Sequence, residues 1–309
     1  MDLFYLGEHH MSEKIVTIGL CVRNAEKTLR ETMGSIMKQD FPYELMEIVC
    51  VEDGSSDGTL SIIQENALKS DISITIFHIN SRGLGHARNV VANNAQGRYI
   101  IWVDGDMILP KDHVQKQVMF MEKNPNVGIA RSRYHIPSKR NLIEFLEFVP
   151  VMVDDFENKN INFRLFATSG AIFRLEAAKQ VGGFDEAFNR VGEDWDIAYR
   201  IKSNGWSLKK SDTFFHEKRE NSWKVMFNKY YWYGHGNYIL HKKNVKILDI
   251  THTRILMGLI YSYPAYRLTG EKSSFILPLY FFFTSIAWWF GFIIAAISRA
   301  SASSFIGHA

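Results

Sequence analysis

Between residues 15 and 134, short apolar runs typical of strands alternate with amphipathic runs typical of helices. We predict strands at Ile15–Val22, Glu47–Glu52, Ser73–Ile79, Tyr99–Val103 and Val127–Arg133. We predict helices at Glu26–Gln39, Thr59–Lys69 and Gly85–Asn94, and a short one from Asp112. Such alternation favours right-handed βαβ units, and therefore an α/β fold whose mostly parallel sheet is flanked by helices. Ligands of such sheets bind beyond the carboxyl ends of the strands.

Two carboxylates, Asp104 and Asp106, directly follow the predicted strand Tyr99–Val103, at the edge where a ligand is expected. An Asp-x-Asp pair alone is more typical of a solvated turn. Folding does not require two charges at the end of a buried strand, whereas a divalent cation bridging to a diphosphate would compensate them. Their placement therefore predicts a cation site.

Two other predicted strands also end in polar loops. Arg23–Lys27 opens the first predicted helix, whose N-terminal amides favour an anion. In Glu52–Thr59, Asp53 is placed to accept hydrogen bonds from a base or a ribose, whereas Asp57 and Thr59 are more typical of a helix cap. We therefore expect Asp53 to contact a ligand.

A glycine-rich segment, Ser81–Asn89, lies between these loops and the acidic pair in the sequence. Its Arg82 and Arg88 lie at a predicted helix start, which suits a diphosphate. A Gly-x-Gly by itself is also common in ordinary loops. Its neighbours along the chain favour phosphate binding.

Taken together, the motifs resemble the inverting nucleotide-sugar glycosyltransferases of family 2, which have the GT-A fold. The resemblance covers about residues 15 to 240. The matching segments are Arg23-Asn24, Val51–Thr59, Gly83–Asn89, the pair Asp104 and Asp106, and Glu193-Asp194. The first loop departs from the family pattern, because Cys21-Val22-Arg23 replaces the usual Pro-Ala-Tyr. Arg23 is therefore expected to supply a cation–π contact in place of the tyrosine.

The resemblance implies a role for each matching residue on the donor side. Asp53 would recognise the nucleobase, Asp104 would bind the ribose or the water shell of the metal, and Asp106 would bind Mn²⁺ or Mg²⁺ directly. The metal would neutralise charge on the departing nucleotide. The other residues expected at the donor site are Arg23, Asn24, Glu26, Arg82 and Arg88. The donor would be a UDP- or GDP-sugar.

The resemblance also implies that Asp194, in the segment Gly192–Asp196, is the catalytic base, with Glu193 beside it. Inversion requires a carboxylate opposite the leaving group, which takes the proton of the acceptor hydroxyl. The alternative is an acidic first turn that stabilises the following helix through its dipole. Both roles are compatible, because a base at a helix start is well fixed.

Further residues extend the predicted site. His216 ends a short strand-like run, where related enzymes place a metal-coordinating histidine, and an ordinary polar residue is the alternative. Ser169 and Gly170 resemble a small-residue loop beside the acceptor pocket. Trp195 and Arg219 complete the predicted acceptor contacts.

Phe275–Ile297 contains no charged residue and is long enough to cross the roughly 30 Å hydrocarbon core of a membrane. We predict a transmembrane helix at about residues 275–297, and a buried core helix is the alternative. Ile255–Tyr263 is too short to span and is closed by Pro264, which fits an interfacial helix. Basic residues are concentrated before the span, so we expect the catalytic part on the cytoplasmic side. They are Lys242, Lys243, Lys246, Arg254, Arg267 and Lys272.

The composition argues against other classes of protein. A net charge of +3 is too small to indicate nucleic acid binding, so we interpret the bases and aromatics of residues 216–250 as a collar at the membrane interface. Cys21 and Cys50 lie in apolar runs without metal-type spacing, which indicates a reduced compartment. Residues 1–14 lack the apolar core of a secretory signal.

We predict four regions along the chain. They are an N-terminal extension (1–14), a nucleotide-sugar-binding half (15–134), an acceptor-binding half of the same catalytic domain (135–250) and a membrane-associated C-terminal region (251–309). Residues 135 to 215 lose the alternation of the first half, as expected for an α+β half that closes the other side of a cleft.

The predicted activity is metal-dependent, inverting transfer of a sugar from a nucleoside-diphosphate donor to a membrane-associated, polyprenyl-linked saccharide, for assembly of a surface glycan or glycoprotein. Direct transfer to polyprenyl phosphate is the main alternative, and Lys218, Arg219 and Lys224 would then face the phosphate. The Glu193-Asp194 pair favours a sugar hydroxyl, because a phosphate nucleophile hardly needs a base. The loop after the first strand lacks the glycines that a nucleotidyltransferase would need. A non-catalytic, membrane-tethered scaffold with a transferase-like domain is a further alternative.

Overall fold

The computed structural model describes residues 14–135, 141–157, 167–188, 190–218, 222–243 and 254–306. The strands are β1 (Val16–Val22), β2 (Met46–Asp53), β3 (Ser73–Ile79), β4 (Tyr99–Val103), β5 (Met107–Ile108), β6 (Val127–Tyr134), β7 (Ile172–Arg174) and β8 (Ser207–Glu217). The first helices are α1 (Leu29–Ile36), α2 (Thr59–Lys69), α3 (Leu84–Asn94), α4 (His113–Lys123) and α5 (Leu142–Glu157). The later ones are α6 (Leu175–Gln180), α7 (Glu193–Ser203), α8 (Trp223–Lys242), α9 (Arg254–Thr269) and α10 (Leu277–Ile306).

The eight strands form one mixed sheet in the order β3-β2-β1-β4-β7-β6-β8-β5. The four strands at one end, β3, β2, β1 and β4, are mutually parallel. In the other half, β7 runs antiparallel to β4 and β6, and β5 runs antiparallel to β8, while β6 and β8 are parallel. The predicted α/β sheet flanked by helices is therefore confirmed. Its parallel part coincides with the alternating region of the sequence, and antiparallel strands complete it.

Three of the parallel strands, β1, β2 and β4, are buried on both faces, which is why they are apolar almost throughout, whereas β3 lies at the sheet edge and is partly exposed. On one face, Ile18 and Leu20 of β1 pack in the same core as Leu29 and Met33 of α1. On the other face, the side chains of β2 and β4 pack against α3, with Trp102 as the largest. The two cores hold the strand ends rigidly, and the loops that leave those ends form the site.

The predicted bounds of α2, β3 and β4 agree with the structure. The first helix begins at Leu29 and not at Glu26, because the intervening residues form a turn whose groups bond to the neighbouring loop. The two-residue strand β5 was not predicted, since so short a segment has no periodicity to detect.

Helices α5, α8, α9 and α10 pack around a separate apolar cluster that includes Leu146, Met226 and Tyr280. Glycines allow α8 and α10 to approach closely: a Cβ at Gly234 would collide with the carbonyl oxygen of Trp288, and a Cβ at Gly291 with that of Tyr231. Helix α10 is therefore packed on α8 through backbone contacts.

The prediction that Pro264 ends its helix is wrong, because α9 continues through this proline to Thr269. Neighbouring packing accounts for the continuation, since Ala265 is buried in the same cluster as Leu277 at the start of α10. A proline inside a helix costs one backbone hydrogen bond. That loss is tolerated here beside a buried contact.

Within the part of the chain that the structure describes, Lys272–Ser298 is the one segment long and apolar enough to cross a membrane, judged by length and composition alone. Of an 18-residue apolar stretch within it, 28% is buried inside the protein. Its outward surface is a continuous apolar face. The exposed side chains of that face include Leu279, Phe282, Ile286, Phe290 and Ile293.

Candidate active site

A cleft of about 790 Å³ lies beyond the carboxyl ends of the parallel strands, where the sequence placed the ligand site. We call its first side the donor wall; it is formed by Arg23, Asn24, Asp53 and the loop Ser81–Gly83. We call the facing side the helix wall; it is formed by Arg190 and Val191 before α7 and by Lys229, Trp232 and Tyr233 of α8. An adjoining cleft of about 590 Å³ shares Cys21–Asn24 and is lined further on by Glu26, Asp106 and Lys218.

The loops after β1 and β2 are joined to each other by hydrogen bonds. Asn24 has a positive φ of 50°, a conformation that asparagine tolerates better than most residues. Its Oδ1 accepts from the N–H of Ser56 (2.9 Å), and its own N–H donates to Oγ of Ser55 (2.9 Å). Glu26 accepts from the N–H of Gly58 (3.0 Å). Asn24 and Glu26, predicted as donor-binding residues, thus also brace the donor wall.

Asp57 and Thr59 lie at the start of α2, as predicted. Oδ1 of Asp57 accepts from the N–H (3.1 Å) and the hydroxyl (2.5 Å) of Thr59, the first residue of the helix. Oγ1 of Thr59 in turn accepts from the N–H of Ala25 (2.8 Å). These bonds connect the helix start to the loop after β1.

Asp53 ends β2 and is largely buried, with 8% of its surface exposed. Its two oxygens accept from the backbone N–H groups of Arg82 (2.9 Å) and Gly83 (3.3 Å). Arg23 donates to the hydroxyl of Ser81 in the same loop. Asp53 and the guanidinium groups of Arg23 and Arg82 therefore share one wall of the cleft, as predicted for a donor site.

The acidic pair after β4 is held by α1. The carbonyl of Gly105 accepts from the hydroxyls of Thr28 (2.7 Å) and Thr32 (3.0 Å). Oδ2 of Asp104 accepts from the hydroxyl of Ser169 (2.5 Å), a predicted acceptor-site residue. Asp106 faces the adjoining cleft, and its carbonyl accepts from the N–H of Lys218 (2.8 Å). The two carboxylates thus have different surroundings.

Arg88 lies in the interior, with 4% of its surface exposed, and forms an ion pair with Glu193, which is 2% exposed. Its guanidinium also lies 3.8 Å from Oδ1 of Asp104 and stands over the rings of Trp102 (5.9 Å) and Phe184 (5.7 Å). The predicted diphosphate-binding Arg88 therefore connects the acidic pair after β4 with the first turn of α7.

The two carboxyl groups that begin α7 are more basic than usual. Burial raises the pKa of Glu193 to about 8, against the opposing effect of Arg88. Burial also raises the pKa of Asp194, which Arg88 and the N–H of Trp195 (2.8 Å) oppose and nearby Asp104 reinforces. Asp194 is not among the described residues that line either cleft. It lies close enough to Arg88 and Asp104 to interact with their charges.

His216 lies in β8, opposite Ile108 of β5 in the register that also places Glu217 opposite Met107. Its ring is 4.2 Å from the ring of His135, and burial together with this neighbour lowers its pKa. The pairing continues to Lys218 and Asp106, so His216 is near the acidic loop along the strand.

The described residues include no group of three or more His, Cys, Asp or Glu side chains placed to hold a metal ion by themselves. The donor set of a Mg²⁺-type ion is usually one or two carboxylates together with substrate phosphates and water. Asp106 lines the open cleft, and Asp104 is separated from it in the sequence by Gly105 alone. This pair of carboxylates fits that requirement.

Of the other predicted acceptor residues, Gly170 lies against the sheet and Trp195 lies against the helix wall. Gly170 has a positive φ of 63° and donates its N–H to the carbonyl of Trp102 (3.0 Å), which fixes the loop that carries Ser169. Trp195 packs on Tyr233 of α8, with ring centroids 5.7 Å apart. Arg219 lies outside the described residues.

The helix wall contains residues that the sequence reading did not assign to a site. The sequence predicts no role for Arg190, and it indicates a membrane collar for Lys229, Trp232 and Tyr233. The structure places all four on the cleft. The spacing of the three residues of α8, at i, i+3 and i+4, could have shown that they share one helical face.

The sequence model of Glycosyl transferase family 2 matches residues 17–182. TarS, a poly(ribitol-phosphate) β-N-acetylglucosaminyltransferase of Staphylococcus aureus, is 34% identical over 101 residues, which are 33% of this chain and 18% of TarS. The poly-β-1,6-N-acetyl-D-glucosamine synthase of Staphylococcus epidermidis is 24% identical over 212 residues, 67% of this chain and 50% of the synthase. The matched region thus spans at most half of the length of these relatives.

Solved structures resemble the chain over most of its length. S. aureus TarS 1–349 in complex with UDP has a TM-score of 0.54 at 17% identity, with 93% of this chain and 92% of that chain covered. The mannosyltransferase PcManGT from Pyrobaculum calidifontis, in complex with GDP-Man and Mn²⁺, has a TM-score of 0.59 at 20% identity, with 94% and 79% covered. These likenesses confirm the α/β fold of the GT-A type.

Proposed function

The chain belongs to glycosyl transferase family 2, and from this membership we propose that it is a metal-dependent, inverting glycosyltransferase. It takes a sugar from a nucleoside-diphosphate donor and transfers it to a saccharide acceptor linked to a polyprenyl lipid, at the cytoplasmic face of a membrane. Such transfer serves the assembly of a surface glycan or glycoprotein.

The observation that carries the proposal is the donor wall. Asp53, Arg23 and Arg82 lie together at the ends of parallel strands, next to the loop of Asp104 and Asp106. Guanidinium groups match the geometry of phosphate oxygens, and Asp53, which we propose to recognise the base, lies on the same wall. The two solved structures are complexes with UDP and with GDP-Man, which supports a nucleotide-sugar donor without choosing between the bases.

Asp106 and Asp104 are the residues that would hold Mn²⁺ or Mg²⁺, with His216 as a further candidate near the same strand end. The ion would act as a Lewis acid that neutralises charge on the leaving diphosphate. The threonines of α1 that bind the carbonyl of Gly105 keep the acidic loop in one conformation. The chain's own contribution is thus a rigid carboxylate facing the donor.

Asp194 is proposed to accept the proton of the attacking acceptor hydroxyl. The bond from the sugar C1 to the acceptor oxygen forms while the bond from C1 to the diphosphate oxygen breaks, with inversion at C1. The raised pKa of Asp194 supports this role, because a base works best when its pKa approaches the working pH. Glu193, engaged by Arg88, is proposed to position the start of α7.

The C-terminal helices support membrane attachment. The apolar outward face of α10 continues on α9, where Leu256, Leu259 and Ile260 are exposed. Together the two helices offer a surface that is more easily placed in lipid than in water. A catalytic cleft held at the membrane would meet a lipid-linked acceptor at high effective concentration.

The proposal is tested by incubating the purified full chain with a panel of UDP- and GDP-sugars, with Mn²⁺ and with EDTA. One nucleotide sugar should be hydrolysed or transferred in the presence of Mn²⁺ only. The melting temperature should rise with Mn²⁺ and the matching nucleotide diphosphate, since a ligand at about a hundred times its Kd adds about 2.7 kcal/mol.

Asp106→Ala should lose the metal-dependent part of that stabilisation. The matched control is Asp212→Ala in β8, which removes a carboxylate that is 98% exposed in its side chain. If no nucleotide diphosphate raised the melting temperature of the wild-type protein, this result would instead favour the interpretation as a non-catalytic scaffold.

A further inference from the structure

The helix wall includes an arginine, Arg190, to which the proposed donor binding assigns no role. Arg190 lies in the loop before α7, is exposed to the cleft, and stands over the ring of Trp232 at 4.3 Å from its centroid. No ion pair joins it to a carboxylate of the described residues. A guanidinium stacked on an indole keeps its N–H groups available around its rim.

The relative placement of Arg190 and Trp232 is fixed by backbone contact. The carbonyl of Val191 lies against Gly236 of α8, so closely that a Cβ at Gly236 would collide with it. Gly192, with a φ of 108°, turns the chain from this contact into α7. A site that is already ordered loses less conformational entropy on binding.

The charges of the larger cleft divide between its two walls. Arg23 and Arg82 lie on the donor wall, next to the diphosphate position of the proposed function. On the helix wall, Lys229 is engaged by Glu147. Asp53 is the carboxylate among the described lining residues, and its oxygens accept from two backbone N–H groups. The charge of Arg190 therefore remains for a second substrate.

We propose that Arg190, held on Trp232, forms an anion subsite that binds a phosphate group carried by the acceptor. This inference rests on the proposed function and adds a substrate class to it: an acceptor that bears a phosphate near the attacking hydroxyl. Trp195 packs on Tyr233, the neighbour of Trp232, so the subsite adjoins the helix start that carries Asp194. Binding the phosphate there would orient the hydroxyl towards the base.

The test compares acceptor probes on the full chain loaded with Mn²⁺ and the matching nucleotide. The probes are a farnesyl-diphosphate-linked monosaccharide, a soluble polyol-phosphate oligomer and octyl glucoside, which bears no phosphate. Equilibrium binding of each probe is measured first, and the acceptor KM wherever transfer occurs. The first two probes distinguish a lipid source of the phosphate from a polymer source.

In Arg190→Gln, we expect the affinity for the phosphate-bearing probe to fall by about tenfold or more, as for the loss of a charge-assisted hydrogen bond. The donor KM and the binding of octyl glucoside should stay within about twofold, and Arg190→Lys should restore part of the affinity, because a lysine still binds phosphate as a point charge. Lys242→Gln removes a cation from the far end of α8 and should change nothing.

The inference is overturned if the wild-type chain binds neither phosphate probe, or if Arg190→Gln weakens all probes equally. A rise in the donor KM would assign Arg190 to the donor. These outcomes differ from failure of the proposed function, in which no nucleotide sugar would be turned over by the wild type.

Discussion

The two walls of the cleft are built by different means. The donor wall consists of loops that leave adjacent parallel strands and bond to each other through side chains such as Asn24, Glu26 and Asp53. The helix wall consists of one face of α8 and a short loop, positioned by contacts of Gly234 and Gly236 with distant backbone. Local hydrogen bonds organise the first wall, and helix packing organises the second.

This difference shows how binding and chemistry can be separated in one cleft. The donor wall is held by its own hydrogen bonds, so under the proposed function it would bind a nucleotide without the helix wall. The helix wall adjoins the start of α7, which carries the proposed base. In the interior, Arg88 connects the acidic loop after β4 with the first turn of α7, because it lies between Asp104 and Glu193.

The largest effect that would separate donor binding from chemistry is expected for Asp194→Asn. If the walls have separate tasks, this variant should lose about 10²- to 10⁴-fold in kcat, the usual contribution of a general base, and keep its donor affinity. Steady-state kinetics and nucleotide binding measure the two quantities. A variant that transfers at a near-normal rate would remove Asp194 as base and would favour direct transfer to a lipid phosphate.

The connection between the acidic loop after β4 and the start of α7 is tested by Arg88→Met. Removal of the guanidinium leaves Glu193 and Asp104 without their buried partner. Above about pH 8, where the Glu193 carboxyl is ionised, such a loss typically costs about 3–5 kcal/mol of stability. Urea unfolding measures the loss. The control is Arg98→Met, whose ion pair with Glu122 is about half exposed in both side chains and should be worth less than about 1 kcal/mol. Equal losses in both variants would contradict a central role of Arg88.

The pH dependence of the free energy of unfolding tests the protonation of Glu193, the partner of Arg88. Because the pKa of Glu193 is raised from 4.5 to about 8, the folded state binds this proton more tightly than the unfolded state does. The free energy of unfolding should therefore fall as the pH rises through this window. Glu193→Gln should flatten the slope, which denaturation at several pH values would show. An unchanged slope would mean that Glu193 is already ionised at low pH.

The packing of the helix wall is tested by a pair of glycine substitutions. Gly234→Ala should destabilise the protein by about 1–3 kcal/mol, because the new methyl group collides with the backbone of α10. Gly34→Ala, inside α1 with open space around it, should stabilise by about 0.5–1 kcal/mol through helix propensity. Thermal unfolding compares them, and two changes of the same sign would contradict the close contact.

The donor wall was largely predictable from the sequence, because its parts are local. The bounds of β3 and α2, which flank its loops, agree with the sequence prediction, and Asp53 is placed by the strand end that carries it. A strand end and its loop are neighbours in sequence, so a motif reading captures both.

The helix wall was not predictable in the same way. Arg190 reaches the cleft only because Val191 meets Gly236, a contact between segments far apart in the chain. Arg88 belongs to a motif that suggests phosphate binding, yet its ion-pair partner Glu193 lies far along the sequence. Trp232 and its neighbours have an aromatic and basic composition that fits a membrane interface equally well.

The close fit of α8 and α10 has a practical consequence for anyone who trims the chain. Helix α10 is apolar, so it is an obvious segment to remove in order to improve solubility. However, Gly234 of α8 packs on its backbone, and the hydroxyl of Tyr230 is hydrogen-bonded to that of Tyr280 in α10 (2.8 Å). A shortened version would expose the face of α8 that packs on α10, and α8 also lines the cleft. Detergent-solubilised, untruncated material is therefore the appropriate reference for judging catalytic competence.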